Sequence, residues 1–179
     1  VFLLIGRSGC GKGTQAKLLI KYLTDNNLGE TLYVYTGDKL RAFAEKEKTL
    51  PARLAKNKMK AGDLLPSFLA VWFWSGTLIE GVNENNNVIM DGSPRTILEA
   101  MMVDDAMEFY SRSNVIQIFL DTSEEWSTQR LLDRGRDDDS LKSIKERLEF
   151  FEKDVIPVIG YYSGKSRHKL TRINGEQSV

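Results

Sequence analysis

The sequence predicts a three-layer α/β sandwich, a five-stranded parallel sheet with helices on both faces. Three features predict it. Short apolar runs rich in Val, Ile, Leu, Tyr and Phe recur along the chain, longer helical stretches separate them, and Gly-rich or charged turns sit where those runs end. Strands joined by crossovers of that length lie parallel, and an open parallel sheet binds its ligands at the carboxyl ends of its strands.

Taken in order, Val1 to Ile5 reads as a buried strand, too short to be a signal segment or a membrane anchor. Ala16, Leu19, Ile20 and Leu23 then fall at i, i+3, i+4 and i+7, one apolar stripe of a helix ending around Asn26 to Gly29. Thr31 to Tyr35 is the second strand, and Thr36-Gly37-Asp38 reads as a turn into a charged helical stretch. Residues from Thr36 to Pro66 form a helical excursion between two core strands, a candidate mobile flap. Asn83 to Asn87 is a polar loop before the buried strand Val88 to Asp91, which breaks at Gly92-Ser93-Pro94. A helix follows from about Thr96 to Tyr110, then the apolar strand Val115 to Leu120. Thr122-x-x-Glu125 reads as a capping box opening the helix that carries Arg130 and Arg134, and a last strand lies near Lys169 to Ile173. There is no internal repeat or low-complexity segment, and residues 1–179 read as one domain.

The turn after the first strand is Gly6-Arg7-Ser8-Gly9-Cys10-Gly11-Lys12-Gly13-Thr14-Gln15. It is a P-loop whose spacing departs from the Walker A pattern only in the Gly between the Lys and the hydroxyl residue. Glycines let successive backbone N–H groups converge on phosphate oxygens, and the following helix aims its positive end at the same point. Lys12 adds a full charge, and Thr14 offers a hydroxyl near a nucleotide-bound Mg²⁺.

Lys plus Arg equals Asp plus Glu at 25 each, so no basic field argues for nucleic acid or an anionic membrane, and a small-molecule partner is expected. One cysteine, Cys10, allows no internal disulfide and cannot supply a four-sulfur zinc site. These counts suit a cytoplasmic protein, and a monomer is expected.

A second constellation is Asp91-Gly92-Ser93-Pro94-Arg95-Thr96. It sets a carboxylate at the end of a buried strand, where it can hold Mg²⁺ through its water shell. Arg95, four residues on, can clamp a phosphate with a rigid fork of donors.

With these motifs the chain resembles the nucleoside monophosphate kinases, and the adenylate kinases among them most closely. The resemblance rests on Gly-Cys-Gly-Lys-Gly-Thr-Gln (9 to 15), Thr-Gly-Asp-Lys-Leu-Arg (36 to 41), Gly-Asp-Leu-Leu-Pro (62 to 66), Asp-Gly-Ser-Pro-Arg-Thr (91 to 96), Arg-Leu-Leu-Asp-Arg-Gly-Arg (130 to 136) and Arg147-Leu148. It implies reversible transfer of the terminal phosphoryl group of MgATP to AMP. Gly9, Cys10, Gly11, Lys12, Gly13 and Thr14 would cradle the ATP phosphates. Thr36, Arg41, Asp63, Leu64, Leu65, Gly92, Ser93, Pro94, Arg95 and Glu99 would surround the acceptor, with Arg41 and Arg95 on its phosphate. Arg130 and Arg134 would contact ATP, Arg136 and Arg147 would close over the transferring group, and Gln177 would touch adenine through its backbone. Taken alone, Arg41 and Arg130 fit solvated helix charges equally well. Such a transition state spreads charge over oxygens and needs positioning more than covalent chemistry, in keeping with several arginines and no obvious base.

The chain departs from the family pattern in places. The lid, residues 134–139, is cut until only Gly135 separates Arg134 from Arg136, which implies weaker shielding from water than in long-lid relatives. Ser8 stands where the family usually has Pro, and Ser93 where it usually has Phe. Glu99 replaces the glutamine that reads the acceptor base; an ionised carboxylate only accepts hydrogen bonds, which suits guanine better than adenine, while Thr36 and the 91–96 stretch favour AMP. The family also continues with another helix beyond this point, so the sequence is expected to stop short of it.

Three features receive no chemistry. Trp72, Phe73 and Trp74 sit together on one helix and cannot all face one core, so core packing or flap contact is expected rather than base stacking. His168 is far from any motif in sequence, and the Cys10 thiol is incidental to a loop whose backbone does the work. A nucleotide-binding regulator without catalysis is the competing reading, but it sits uneasily with an intact charged set of Lys12, Arg41, Asp91, Arg95, Arg134, Arg136 and Arg147. A nucleic-acid-dependent ATPase finds no support in charge or composition.

Overall fold

A computed structural model describes residues 1–46, 48–136, 139–164 and 170–177. Five parallel strands, β1 (Phe2–Gly6), β2 (Thr31–Tyr35), β3 (Asn87–Asp91), β4 (Ile116–Asp121) and β5 (Leu170–Asn174), form one sheet in the order β2-β3-β1-β4-β5. The chain leaves β1 for the far edge, returns through β3 beside β1, then crosses to β4 on the other side. The carboxyl ends of β1, β3 and β4 therefore splay around a switch point, where an open parallel sheet leaves a crevice.

Helices α1 (Lys12–Asp25), α2 (Thr36–Glu45), α3 (Leu50–Ala61), α4 (Ser67–Gly81), α5 (Ile97–Phe109), α6 (Glu124–Arg134), α7 (Leu141–Phe150) and α8 (Ile156–Gly164) connect them, with a π-helical turn at Phe151–Val155. Because side chains alternate along a strand, β1 sends Leu3 and Ile5 to one layer and Leu4 to the other. The first layer is the larger, built on Trp74, Val103, Met107, Phe119, Phe151 and Tyr162; the second holds Ala16, Leu23 and Ile89. The predicted apolar stripe of α1 faces this second layer through Ala16 and Leu23, with Leu19 and Ile20 packed beside them.

The excursion between β2 and β3 is helical as expected, but Thr36-Gly37-Asp38 is not a separate turn. Helix α2 begins at Thr36 directly from the strand, because Tyr35 stays extended as its N-cap. The expected capping box at Thr122 is displaced by one residue. Ser123 caps α6 by accepting from the Trp126 N–H, while the Thr122 hydroxyl is buried and pairs with that of Ser127 at 2.9 Å. The last strand begins at Leu170; His168 and Lys169 lie outside the described residues.

The three neighbouring aromatics of α4 divide their work. Trp74 is in the core, Phe73 packs with Phe43 and Met59 of the excursion, and Trp72 is largely exposed. Gly62 ends α3 with φ 86°, and a Cβ there would meet the Ser143 carbonyl oxygen of α7 at 2.5 Å, so glycine lets α3 lie against α7. No helix among the described residues is long and apolar enough to cross a membrane.

Truncating Trp74 to Ala removes a side chain buried to 2% exposure and is expected to cost about 3–5 kcal/mol, whereas Trp72→Ala should stay within ~1 kcal/mol. Urea unfolding of the two variants measures the difference.

Candidate active site

A cleft of about 510 Å³ opens at the carboxyl ends of the strands. One end is the glycine loop between β1 and α1. Helix α1 has Gly11 as its N-cap in the left-handed region, with no side-chain cap and no acid in its first turn. Its leading N–H groups and its positive end are thus left to a ligand. Gly9, at φ 86°, packs so closely on α6 that a Cβ would lie 2.5 Å from the Ser127 carbonyl oxygen. Lys12 folds back on the loop itself, its Nζ donating to the carbonyls of Gly6 and Arg7 at 2.8 Å each. An ammonium held by neutral carbonyls can turn toward phosphate oxygens without breaking an ion pair.

Gly9, Gly11, Lys12, Gly13 and Thr14 line this end, and the other end is lined by Thr36, Arg41, Asp63, Leu64, Leu65, Gly92, Ser93, Arg95 and Glu99. Asp91 lies between them, and Arg130, Arg134, Arg136 and Arg147 complete the wall. The other three residues expected here do not line the cleft with their side chains: Cys10, expected through its backbone, buries its thiol against Gly6, Pro94 is buried, and Gln177 is exposed near the chain end, its side chain donating to the Asn174 carbonyl.

Arg95, Arg41 and Arg130 rest on different partners. Arg95 donates from Nε to the Gly92 carbonyl at 2.7 Å and sits 5.9 Å from the Phe150 ring centre. Burial lowers its pKa and the like charge of Arg147 adds to that, while Glu99, Asp91 and Tyr35 oppose them. Arg41 pairs with Asp38 and donates to the Tyr35 hydroxyl at 2.8 Å. Arg130 is exposed and lies over the Trp126 ring.

The residue that sequence reasoning missed is Asp139. Its side chain is fully buried, and one carboxylate gathers four donors: Nε and Nη2 of Arg134 at 2.9 and 2.7 Å, Nη1 of Arg147 at 2.7 Å, and the backbone N–H of Arg136 at 3.2 Å. These donors and charges hold its pKa below the ordinary value against the burial that raises it. Three consecutive aspartates in the sequence look like a solvated loop, and only the return of α7 against α6 singles out the third. Asp137 and Asp138, within the expected lid, lie outside the described residues.

Glu99 is fully buried in the first turn of α5. Its Oε2 accepts from the Arg95 N–H at 3.1 Å, and Oε1 has no hydrogen-bond partner. Burial pushes the carboxyl above its ordinary value, outweighing the Arg95 N–H, the Arg95 charge and the Ser67 hydroxyl. The tyrosines Tyr33 and Tyr35 also line the cleft, and as apolar strand residues they gave no signal in the sequence.

Comparison with known proteins agrees with this geometry. The profile of the adenylate kinase family matches residues 4–167. Adenylate kinase 1 of Nostoc sp. is 34% identical over 176 residues, spanning 98% of this chain and 90% of its own length. The adenylate kinase of Azobacteroides pseudotrichonymphae is 35% identical over 182 residues, covering 98% and 89%. The uridylate kinase of Saccharomyces cerevisiae is 31% identical over 185 residues, covering 100% and 84%.

Asp139→Asn keeps the shape but removes the charge facing Arg134 and Arg147. The expected loss is about 2–3 kcal/mol, below that for a fully buried pair because Arg134 is 33% exposed. The folded carboxyl titrates below its unfolded value of about 3.9, so the gap between wild type and variant is full above that pH and closes as pH falls toward the depressed value. Urea unfolding at several pH values checks both the size and the direction.

Proposed function

The chain belongs to the adenylate kinase family, which makes it a phosphotransferase of the nucleoside monophosphate kinase type, and we propose that it transfers the terminal phosphoryl group of MgATP reversibly to AMP. The observation that carries this reading is a single cleft with two phosphate-seeking ends, the glycine loop with Lys12 at one and Arg41 with Arg95 at the other. A lone P-loop hydrolase needs only the first.

In this reading Gly9 to Thr14 hold the ATP phosphates through backbone N–H groups, and Lys12 follows the charge that moves between the nucleotides. Arg130 and Arg134 hold ATP, and Thr36, Asp63 to Leu65, Gly92 to Arg95 and Glu99 hold AMP. Arg136 and Arg147 close over the transferring group, where fixed cations offset the spreading charge without reorganising. Asp91 and Thr14 offer oxygen donors to Mg²⁺ and its waters, a donor set suited to this cation, and both line the cleft. When bound, the metal neutralises phosphate charge and helps orient the phosphoryl group.

Residues 1–179 act in this reading as one kinase domain with an acceptor flap at 36–65 and a short lid at 134–139, working as a cytoplasmic monomer on small nucleotides. Two observations favour a different acceptor as the second reading: Glu99 at the acceptor end, and a uridylate kinase among the relatives. A buried carboxyl with a raised pKa stays neutral more readily and can donate as an amide does, which supports AMP.

A coupled assay of ADP formation from MgATP with AMP, GMP, CMP or UMP tests the proposal. AMP is expected to give the highest kcat/KM; a higher value for another monophosphate reassigns the acceptor, and nucleotide binding without turnover overturns the enzyme. Lys12→Met is expected to lower kcat by about 10²–10³-fold, with the fold retained by circular dichroism. With so short a lid, ATP hydrolysis without acceptor should be measurable beside transfer, and a negligible rate would show that shielding is complete without it.

A further inference from the structure

Two tyrosines on β2 are used in a way that packing does not require. Tyr33 and Tyr35 are two apart and so share one face of the strand, with rings stacked at 5.9 Å and 11° between planes. Both are half-buried and line the cleft, and Tyr33 also packs against the second core layer. Their hydroxyls go to different ends of the site. Tyr33 donates to Oδ2 of Asp91 at 2.8 Å, while the Tyr35 hydroxyl accepts from Nη2 of Arg41 at 2.8 Å. Phenylalanine would preserve the stacking, the buried area and the Tyr35 ring's contact with the Arg41 guanidinium at 5.8 Å, so the hydroxyls are what packing leaves unexplained.

We propose that Tyr33 and Tyr35 are positioning residues, Tyr33 for the Asp91 carboxylate that would organise the metal's water shell and Tyr35 for the Arg41 guanidinium that would meet the acceptor phosphate. The inference rests on the kinase reading above. An aspartate side chain at the end of a strand is free to rotate about two bonds. A donor fixed on the neighbouring strand anchors one of its oxygens, and among the described residues nothing donates to the other. Arg41 is drawn away from solvent in a comparable way. Asp38 holds it from its own helix, and the Tyr35 hydroxyl, set at the strand end before α2, aims it across the cleft. A single strand thereby aligns a group at the metal side with one at the acceptor side, and the stacked rings couple their placement.

The test uses Tyr33→Phe and Tyr35→Phe in the full chain, with melting temperatures expected near wild type. Mn²⁺ affinity of the enzyme–ATP complex, read by electron paramagnetic resonance, reports on the metal side, and AMP affinity by calorimetry reports on the acceptor side. Loss of one hydrogen bond to a charged group is expected to weaken Mn²⁺ binding about three- to tenfold in Tyr33→Phe, with AMP affinity within about twofold of wild type. Tyr35→Phe should show the reverse split. Both constants unchanged, both moved alike, or a crossed pattern would overturn the proposal. Neither measurement needs turnover, so a wild type that binds both nucleotides yet transfers nothing would fail the kinase reading alone.

Discussion

Concentrating arginines around one cleft is electrostatically costly, and the arrangement depends on internal acceptors that hold Arg41, Arg95, Arg134 and Arg147. Asp139 is the strongest of these. Its buried carboxylate joins the end of α6, through Arg134, to the last turn of α7, through Arg147, and receives the Arg136 N–H between them. Arg41 leans on Asp38 and Tyr35, Arg95 on the Gly92 carbonyl, and Arg7 on Glu152 over the Phe151 ring. A guanidinium fixed by such partners loses little conformational freedom when a ligand comes, so part of the ordering cost of binding is met on folding.

That preorganisation extends to the junction of α6 and α7. Arg134 and Arg136 stand one glycine apart, and Asp139 ties the first of them to α7 through Arg147. Helices α2 and α3 make apolar contacts with α4 that form a cluster separate from the main core. Gly62, lying against Ser143, brings that unit up to α7.

Much of the fold was legible because its signals are local. Strand β2 and the helix at residues 97–109 follow from residue type and period, and the glycine loop from spacing alone. Misplacements came where a side chain had two possible partners. Thr122 looked like a cap but is buried at a strand end, where Ser127 satisfies its hydroxyl, leaving Ser123 as the cap. Thr36 looked like a turn residue because glycine and aspartate follow it, yet the extended backbone of Tyr35 lets the helix begin at once. Of the cleft, the motif residues were readable, whereas Tyr33, Tyr35 and Asp139 were not. Their signals are ordinary for a strand and a polar loop, and their partners lie on other elements.

By itself the sequence determined which motif residues line the cleft, and that strands and helices alternate so that these motifs fall at strand ends, since both depend on neighbours within a few positions. Tertiary structure alone decided the strand order, which sets the ends of β1 and β3 side by side. It also decided that Asp139 is buried among arginines of two helices, and that Glu99 faces the Arg95 backbone with one oxygen left unpaired. The physical reason is common to all three: the charge state and placement of a buried polar group depend on contacts between segments far apart in the chain, and local spacing does not encode them.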